Sequence, residues 1–273
     1  MPKKTVLITG CSEGGIGHAL AVEYQKRGHT VFATARSLSK MGKLGSLPNV
    51  HTITLDVTNP SSIAAAAKEV EAKGGLDILV NNAGGQYHMP ILDMDLEKGR
   101  QLFEVNVWGV IAVTQAFAGM LVKSKGVVAN VGSIAGLLPL PFQAAYNASK
   151  AAVNNVSETL RLELAPLGVR VLTVVTGGVT SEIENNAEKV VLSETSFYRP
   201  IQKDMQPEQN YNPFATDKFA AWLVNKTLDG STGQIWKGSN SGIVRWAVPL
   251  MPQWLFDRLM IQNGKGIGNM PLS

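Results

Sequence analysis

The chain has 273 residues, 45% of them hydrophobic and 17% charged, with a formal net charge of +4. That size and balance fit one large globular α/β domain with an extensive core. The basic residues are scattered and not interleaved with aromatics, which argues against a nucleic-acid surface, and a single cysteine, Cys11, excludes an internal disulfide framework and a Cys-based zinc site. No metal site is expected.

In chain order, short apolar runs alternate with longer helical patterns. Thr5–Thr9 reads as a buried strand, followed by a Gly-rich turn and a helix through Ala19 to Arg27. Strands are expected at Thr30–Ala35 and Val50–Leu55, then an Ala-rich helix over Ser61–Lys73 capped by Ser61 or Ser62. A short strand at Ile78–Val80 runs into Asn81-Asn82-Ala83-Gly84. One helix is expected over Gly99–Val122, a strand at Val127–Val131, a helix through Tyr146 to Leu164 and a strand at Val169–Val175. The stretch from Ser181 to Pro213 is polar and irregular. Thr216–Leu228 reads as helix and Gln234–Lys237 as a final edge strand.

This alternation, with near-continuous Val/Ile/Leu strands, predicts a Rossmann-like doubly wound domain: a parallel sheet of about seven strands with helices on both faces. Residues 1–240 form that domain, with a variable loop over 182–215, and 241–273 form an apolar tail. The first strand runs into Thr9-Gly10-Cys11-Ser12-Glu13-Gly14-Gly15-Ile16-Gly17, where glycines let the backbone approach a pyrophosphate at a helix N-terminus. No acid ends the second strand. Arg36 stands there instead, a planar fork suited to a 2′-phosphate, which favours NADP over NAD. Asp56, in Leu-Asp-Val, is placed for the adenine amino group.

Tyr146 and Lys150 lie four apart on one helix face, with Ser133 thirteen positions upstream of Tyr146. A cation beside a phenol favours the phenolate, which makes Tyr146 a candidate acid or base. An ordinary surface Tyr/Lys pair has the same spacing, so the pair alone does not decide.

Taken together, Thr-Gly with its glycines, Leu-Asp-Val, Asn-Asn-Ala-Gly, Asn106, Ser133 and Tyr-x-x-x-Lys resemble the short-chain dehydrogenase/reductase family over residues 5 to 181. Gly-Cys-Ser-x-Gly-Gly-Ile-Gly, Thr-Gly-Gly-Val and Val-Pro-Leu-Met-Pro-Gln-Trp-Leu are most similar to the fungal NADPH-dependent 1-acyldihydroxyacetone phosphate reductase-like group. Two departures stand out. Gly10 and Gly15 have four residues between them where the family commonly has three, and Thr176-Gly177 stands where the family usually shows Pro-Gly.

The resemblance implies NADPH-dependent reduction of a carbonyl to a secondary alcohol. Tyr146 would donate the proton, Ser133 would bond the same oxygen, Lys150 would support Tyr146 and the nicotinamide ribose, and Asn106 would hold a relay water. The cofactor set it implies is Gly10, Ser12, Gly15, Ile16, Gly17, Arg36, Asp56, Val57, Asn82, Ala83, Gly84, Tyr146, Lys150, Val179 and Ser181. It also implies a dimer or tetramer.

The resemblance implies that residues 182–215 form a substrate loop, in which Phe197, Tyr198, Met205, Tyr211 and Phe214 are either pocket-lining or ordinary packing residues, and His88 and Met89 lie near the expected entrance. The absence of an Arg cluster there favours a small-molecule lipophilic ketone, lipid-like or of specialised metabolism, without excluding an acyl-dihydroxyacetone phosphate. The tail, with Trp246, Trp254, Leu255, Phe256, Leu259 and Met260 broken by Pro249 and Pro252, is too short for a membrane span. It reads as a lid, a subunit contact or an interfacial helix on a lipid surface. The expected compartment is cytoplasmic, peripheral on the endoplasmic reticulum or lipid droplets if the tail binds lipid. The contrasting expectation is a catalytically idle NADP-binding regulator or a membrane-interaction protein on the same fold.

Overall fold

The computed structural model describes residues 2–183, 187–205, 212–262, 264 and 266–270. Tyr211 and Pro207 lie outside them. Seven strands form one parallel sheet: β1 (Thr5–Ile8), β2 (Thr30–Ala35), β3 (Val50–Thr54), β4 (Ile78–Asn81), β5 (Val127–Val131), β6 (Arg170–Thr176) and β7 (Gly233–Lys237). Their spatial order is β3-β2-β1-β4-β5-β6-β7, with β7 at an edge as expected. The order reverses between β1 and β4, so a crevice opens beyond their carboxyl ends, where sheets of this kind bind ligands.

Side-chain alternation along each strand builds a core on both faces. Val6 and Ile8 point to one face, where α1 (Ile16–Lys26) and α6 (Thr216–Leu228) supply Leu20, Tyr24, Phe219 and Leu223. Leu7 and Phe32 point to the other, against α2 (Pro60–Ala72) and α4 (Gly109–Ser124) through Ile63, Val70, Val113 and Phe117. The remaining helices are α3 (Leu96–Phe103), α5 (Ala144–Leu164), α7 (Ser241–Trp246) and α8 (Gln253–Gln262).

Three local expectations are corrected. α1 starts at Ile16, immediately after the Gly-rich turn, where Ala19 was expected. α2 is capped by Asn59, whose side chain accepts from the Ser62 N–H, while Pro60 occupies the first helical position, where its missing N–H costs nothing. The helix expected over Gly99–Val122 is α3 and α4 joined by a π-helical segment, Glu104–Trp108, that contains Asn106. This run, Leu96–Ser124, is long and apolar enough to cross a membrane by length and composition. In the fold, its Val113, Phe117 and Leu121 are packed into the core.

Candidate active site and nucleotide cleft

A cleft of about 2020 Å³ runs along the carboxyl ends of the strands. At one end the Gly-rich turn binds itself to its neighbours through backbone bonds: Cys11 N–H to the Thr34 carbonyl (2.8 Å) and Glu13 N–H to the Lys40 carbonyl (2.8 Å). Gly10 takes φ +75° and Gly14 φ +77°, a region that favours glycine. A side chain at Gly14 would meet Glu182, so the longer loop is accommodated by a second left-handed glycine against the segment after β6. Gly15 caps α1 without any side-chain bond, which leaves the helix's first N–H groups for an anion.

The two amides of Asn81-Asn82 do different work. Asn81 is buried and donates to Thr114 Oγ1 (3.0 Å) and Asn130 Oδ1 (2.8 Å), joining β4 to β5 and α4. Asn82 donates to the carbonyls of Thr9 (2.9 Å) and Gly10 (3.0 Å), latching the Gly-rich turn to the end of β4. Beneath them Gly17 allows close approach, since a side chain there would run into the Gly10 carbonyl and the Asn82 amide.

Of the expected cofactor residues, Gly10, Ser12, Gly15, Ile16, Arg36, Asp56, Val57, Asn82, Ala83, Gly84, Val179 and Ser181 line the cleft, while Gly17 lies behind the turn. Asp56 accepts from the Thr58 N–H (2.9 Å) and hydroxyl (2.8 Å), so it also serves as the turn acid before α2. The Thr58 backbone bond chiefly holds its carboxyl below the usual carboxylate range, with a contribution from nearby Arg36. Ser37 and Lys40 share this end of the cleft. Sequence reasoning missed both, though Lys40 lies one helical turn beyond Arg36 in the order of the chain.

At the other end, Ser133, Tyr146 and Lys150 all line the cleft and all are nearly buried. Ser133 follows β5 at the start of a turn and its Oγ accepts from the Ala135 N–H (3.0 Å), which leaves the hydroxyl proton available for donation. Gly136 lets that turn pack directly on α5, because a side chain there would strike the backbone at Lys150 and Ala151. Tyr146 and Lys150 share a face of α5, with Nζ 5.9 Å from the Tyr146 ring centroid. Lys150 Nζ donates to the Val131 carbonyl (3.0 Å), using one of its three N–H bonds. Burial lowers its pKa to about 8.

Asn106 does not line the cleft. It is buried behind it, in the π-helical segment, where its Oδ1 accepts from the Gly85 N–H (2.8 Å) and its Nδ2 donates to the Gly85 carbonyl (3.1 Å) and Ser149 Oγ (3.0 Å). It therefore fixes the loop after β4 to α5. Asn154, not anticipated from sequence, donates to the Ser133 carbonyl (3.0 Å). The signal for it was the repeat Tyr146, Lys150, Asn154 at intervals of four on one helix face.

The substrate end draws on several segments, among them His88 and the tail named in the sequence reading. Leu138, Leu140, Gln143, His88 and Lys203 line it, as do Val248, Met251, Phe256, Leu259 and Met260 of the tail. Met205, with Tyr198 packed beside it, is buried in a separate cluster, and Phe214 packs on the sheet core, so these read as packing residues.

A family profile described as short chain dehydrogenase matches residues 4–191. The chain belongs to the short-chain dehydrogenase family, whose members are oxidoreductases. Among curated members, the short-chain dehydrogenase cctT of Talaromyces islandicus is 40% identical over 265 residues, 94% of either chain. The NADPH-dependent 1-acyldihydroxyacetone phosphate reductase of Schizosaccharomyces pombe is 42% identical over 214 residues, 76% of this chain and 72% of that protein. Among solved structures, a short-chain dehydrogenase from Burkholderia cenocepacia in complex with NADP aligns with TM-score 0.76 at 27% identity, covering 94% of this chain and 97% of that one. One from Streptomyces avermitilis aligns with TM-score 0.79 at 27% identity, covering 98% of both.

Proposed function

We propose that this short-chain dehydrogenase uses NADPH to reduce a ketone to a secondary alcohol on a neutral, lipophilic substrate. The observation that carries the reading is that Ser133, Tyr146 and Lys150 face the same cleft whose far end holds the open N-terminus of α1 and Arg36. The residues fit a dinucleotide: unmet N–H groups for a pyrophosphate, a guanidinium for a 2′-phosphate and an ammonium beside the catalytic phenol. The NADPH and NADP named for the yeast reductase and the Burkholderia structure support the same choice.

When bound, NADPH supplies the hydride to the carbonyl carbon. The chain's residues handle the oxygen. Tyr146 donates its proton to the forming alkoxide, and Ser133 bonds that oxygen and stabilises its negative charge where water is scarce. Lys150 holds a positive charge beside the phenol and would hold the ribose hydroxyls of the bound cofactor, while one of its N–H bonds is fixed on the Val131 carbonyl. Asn106 keeps the loop after β4 in register with α5, the helix that carries Tyr146 and Lys150.

Charge argues for a neutral substrate. Among the described cleft residues the cations are Arg36, Lys40, Lys150 and Lys203. Two belong to the nucleotide end, one to the catalytic centre, and Lys203 is followed directly by Asp204, which also lines the cleft. An acyl-dihydroxyacetone phosphate would find little to hold its phosphate. Monitoring NADPH oxidation with neutral lipophilic ketones beside an acyl-dihydroxyacetone phosphate tests the reading. Turnover of the neutral ketones is expected, and turnover confined to the phosphate ester would overturn it.

The outer face of the tail supports a second reading, a peripheral seat on a lipid surface. Trp246, Leu250 and Trp254 are 69%, 85% and 66% exposed, and the Arg245 guanidinium stacks 4.7 Å from the Trp246 ring. Aromatics backed by arginine suit an anionic interface. Trp246→Ala/Trp254→Ala should lose co-sedimentation with anionic vesicles that the parent protein shows. If neither protein sediments and the parent is a dimer or tetramer that the variant breaks, the face belongs to a second copy.

A further inference from the structure

We infer that the segment from Ser239 to Met270, here called the strap, selects substrate length: its inner face is an apolar wall for an extended aliphatic chain carried by the ketone. The inference rests on the proposed ketone reductase reading. It assigns specificity to a part of the chain outside the 182–215 loop in which sequence reasoning sought it.

The first observation is a half-buried apolar stripe that borders the cleft. α8 contains no fully buried residue, although Leu255, Phe256, Leu259 and Met260 fall at helical spacing along one side. These four are half-buried, and Phe256, Leu259 and Met260 face the cleft together with Val248 and Met251. An amphipathic helix ordinarily lays its stripe on a core. Here Phe256, Leu259 and Met260 face the cleft, which Leu138, Leu140 and Ile183 also line. Such a pairing of apolar walls takes an apolar occupant. The cleft, about 2020 Å³, is roughly twice the ~1,000 Å³ upper end of ordinary ligand sites, room for a dinucleotide and a long substrate together.

The second observation is that the strap is pinned at both ends, so the wall has a fixed position. At its start, the Gly178 N–H donates to the Ser239 carbonyl (3.0 Å) and the Ser239 N–H to the Gly178 carbonyl (2.9 Å). Gly177 permits this approach, since any side chain there would collide with Ser239 and Gly238. The Thr-Gly-Gly sequence after β6 thereby joins the strap to the segment carrying Val179 and Ser181. At its end, Ile267 and Met270 pack on Phe142, Val190, Leu192, Ile201 and Met205, a small core separate from both faces of the sheet. Gly264 closes against Pro141 and Gly266 against Asp204.

The test is calorimetric titration of straight-chain methyl ketones of increasing length into the protein saturated with NADP+, repeated for Met251→Trp, which narrows the wall, and Phe256→Ala, which shortens it. Parent affinity should tighten about threefold per methylene. Met251→Trp should cut the ratio of long- to short-ketone affinity about tenfold, and Phe256→Ala should flatten the dependence on length. NADP+ affinity, the check that each variant is folded, should stay at the parent value. Affinity independent of length in the parent, or a loss equal for all lengths in both variants, would overturn the inference. Length-dependent binding with no NADPH oxidation would instead overturn the reductase reading and leave the strap's role standing. Ketone turnover without length dependence would do the reverse.

Discussion

The two ends of the cleft are built by different means. At the nucleotide end, backbone does the shaping: Gly10 and Gly14 in left-handed conformations, Gly17 beneath them, and Asn82 tying the turn to β4. At the substrate end, side chains of the strap and the β5–α5 loop leave apolar surface facing open volume. The first design tolerates almost no change in atoms near the chain, because each glycine is there for what it lacks. The second can be reshaped by exchanging one apolar side chain for another, since volume-conserving apolar swaps are mild. Family members can therefore share a cofactor end and diverge at the substrate end.

The largest effect is expected where the two ends meet. Tyr146→Phe should lower turnover by at least about a hundredfold while NADPH still binds, measured by steady-state kinetics beside NADPH fluorescence. Near-normal reduction by that variant would sink the mechanism and with it the division of the cleft. Next, Arg36→Ala should weaken NADPH about tenfold to a hundredfold, as loss of charge-assisted hydrogen bonds predicts, and NADH far less. Equal losses for the two cofactors would mean that Arg36 does not read the phosphate.

Gly17→Ala tests the backbone design directly. The added methyl would meet the Gly10 carbonyl and Asn82 amide, so about 2 kcal/mol of stability should be lost in denaturant unfolding, with weaker cofactor binding. A variant as stable as the parent would show the turn to be more adaptable than it looks. The mildest test is pH. Lys150 titrates at about 8 because burial disfavours its charged form. The ammonium is present below that value and lost above it, so kcat/KM for reduction should be level at neutral pH and fall as pH passes about 8. A profile level to pH 10 would remove Lys150's charge from the mechanism.

The same Lys150 shift has a sign for stability. A lysine whose folded pKa is lowered disfavours folding wherever it must be charged, and that cost is relieved as pH rises from about 8 toward the unfolded value. The site thus spends some stability to keep a buried ammonium near the phenol.

The strands and most helices could be read from period and composition: β2, β5 and α6 lie at the expected bounds. The π-helical segment at Asn106 could not, because Gln101 to Val113 continues an unbroken helical pattern and the wider turn shows only in the backbone, where the Gly109 N–H reaches the Glu104 carbonyl five residues back. The cap of α2 was misplaced by a few residues for a related reason. Asn59, Ser61 and Ser62 all have capping chemistry, and Pro60 fixed which of them sat outside the first turn.

The sequence by itself determined the family, the doubly wound sheet and the residues able to carry the chemistry, since glycine placement, strand period and the four-residue spacing of Tyr146 and Lys150 are local properties. Tertiary structure decided what those residues share. It brought Ser133, Arg36 and the start of α1 to one cleft, set Asn106 behind it and turned one face of the tail inward. An amphipathic pattern states that a face must be covered. Only the packing of distant segments around the crevice states what is left to cover it.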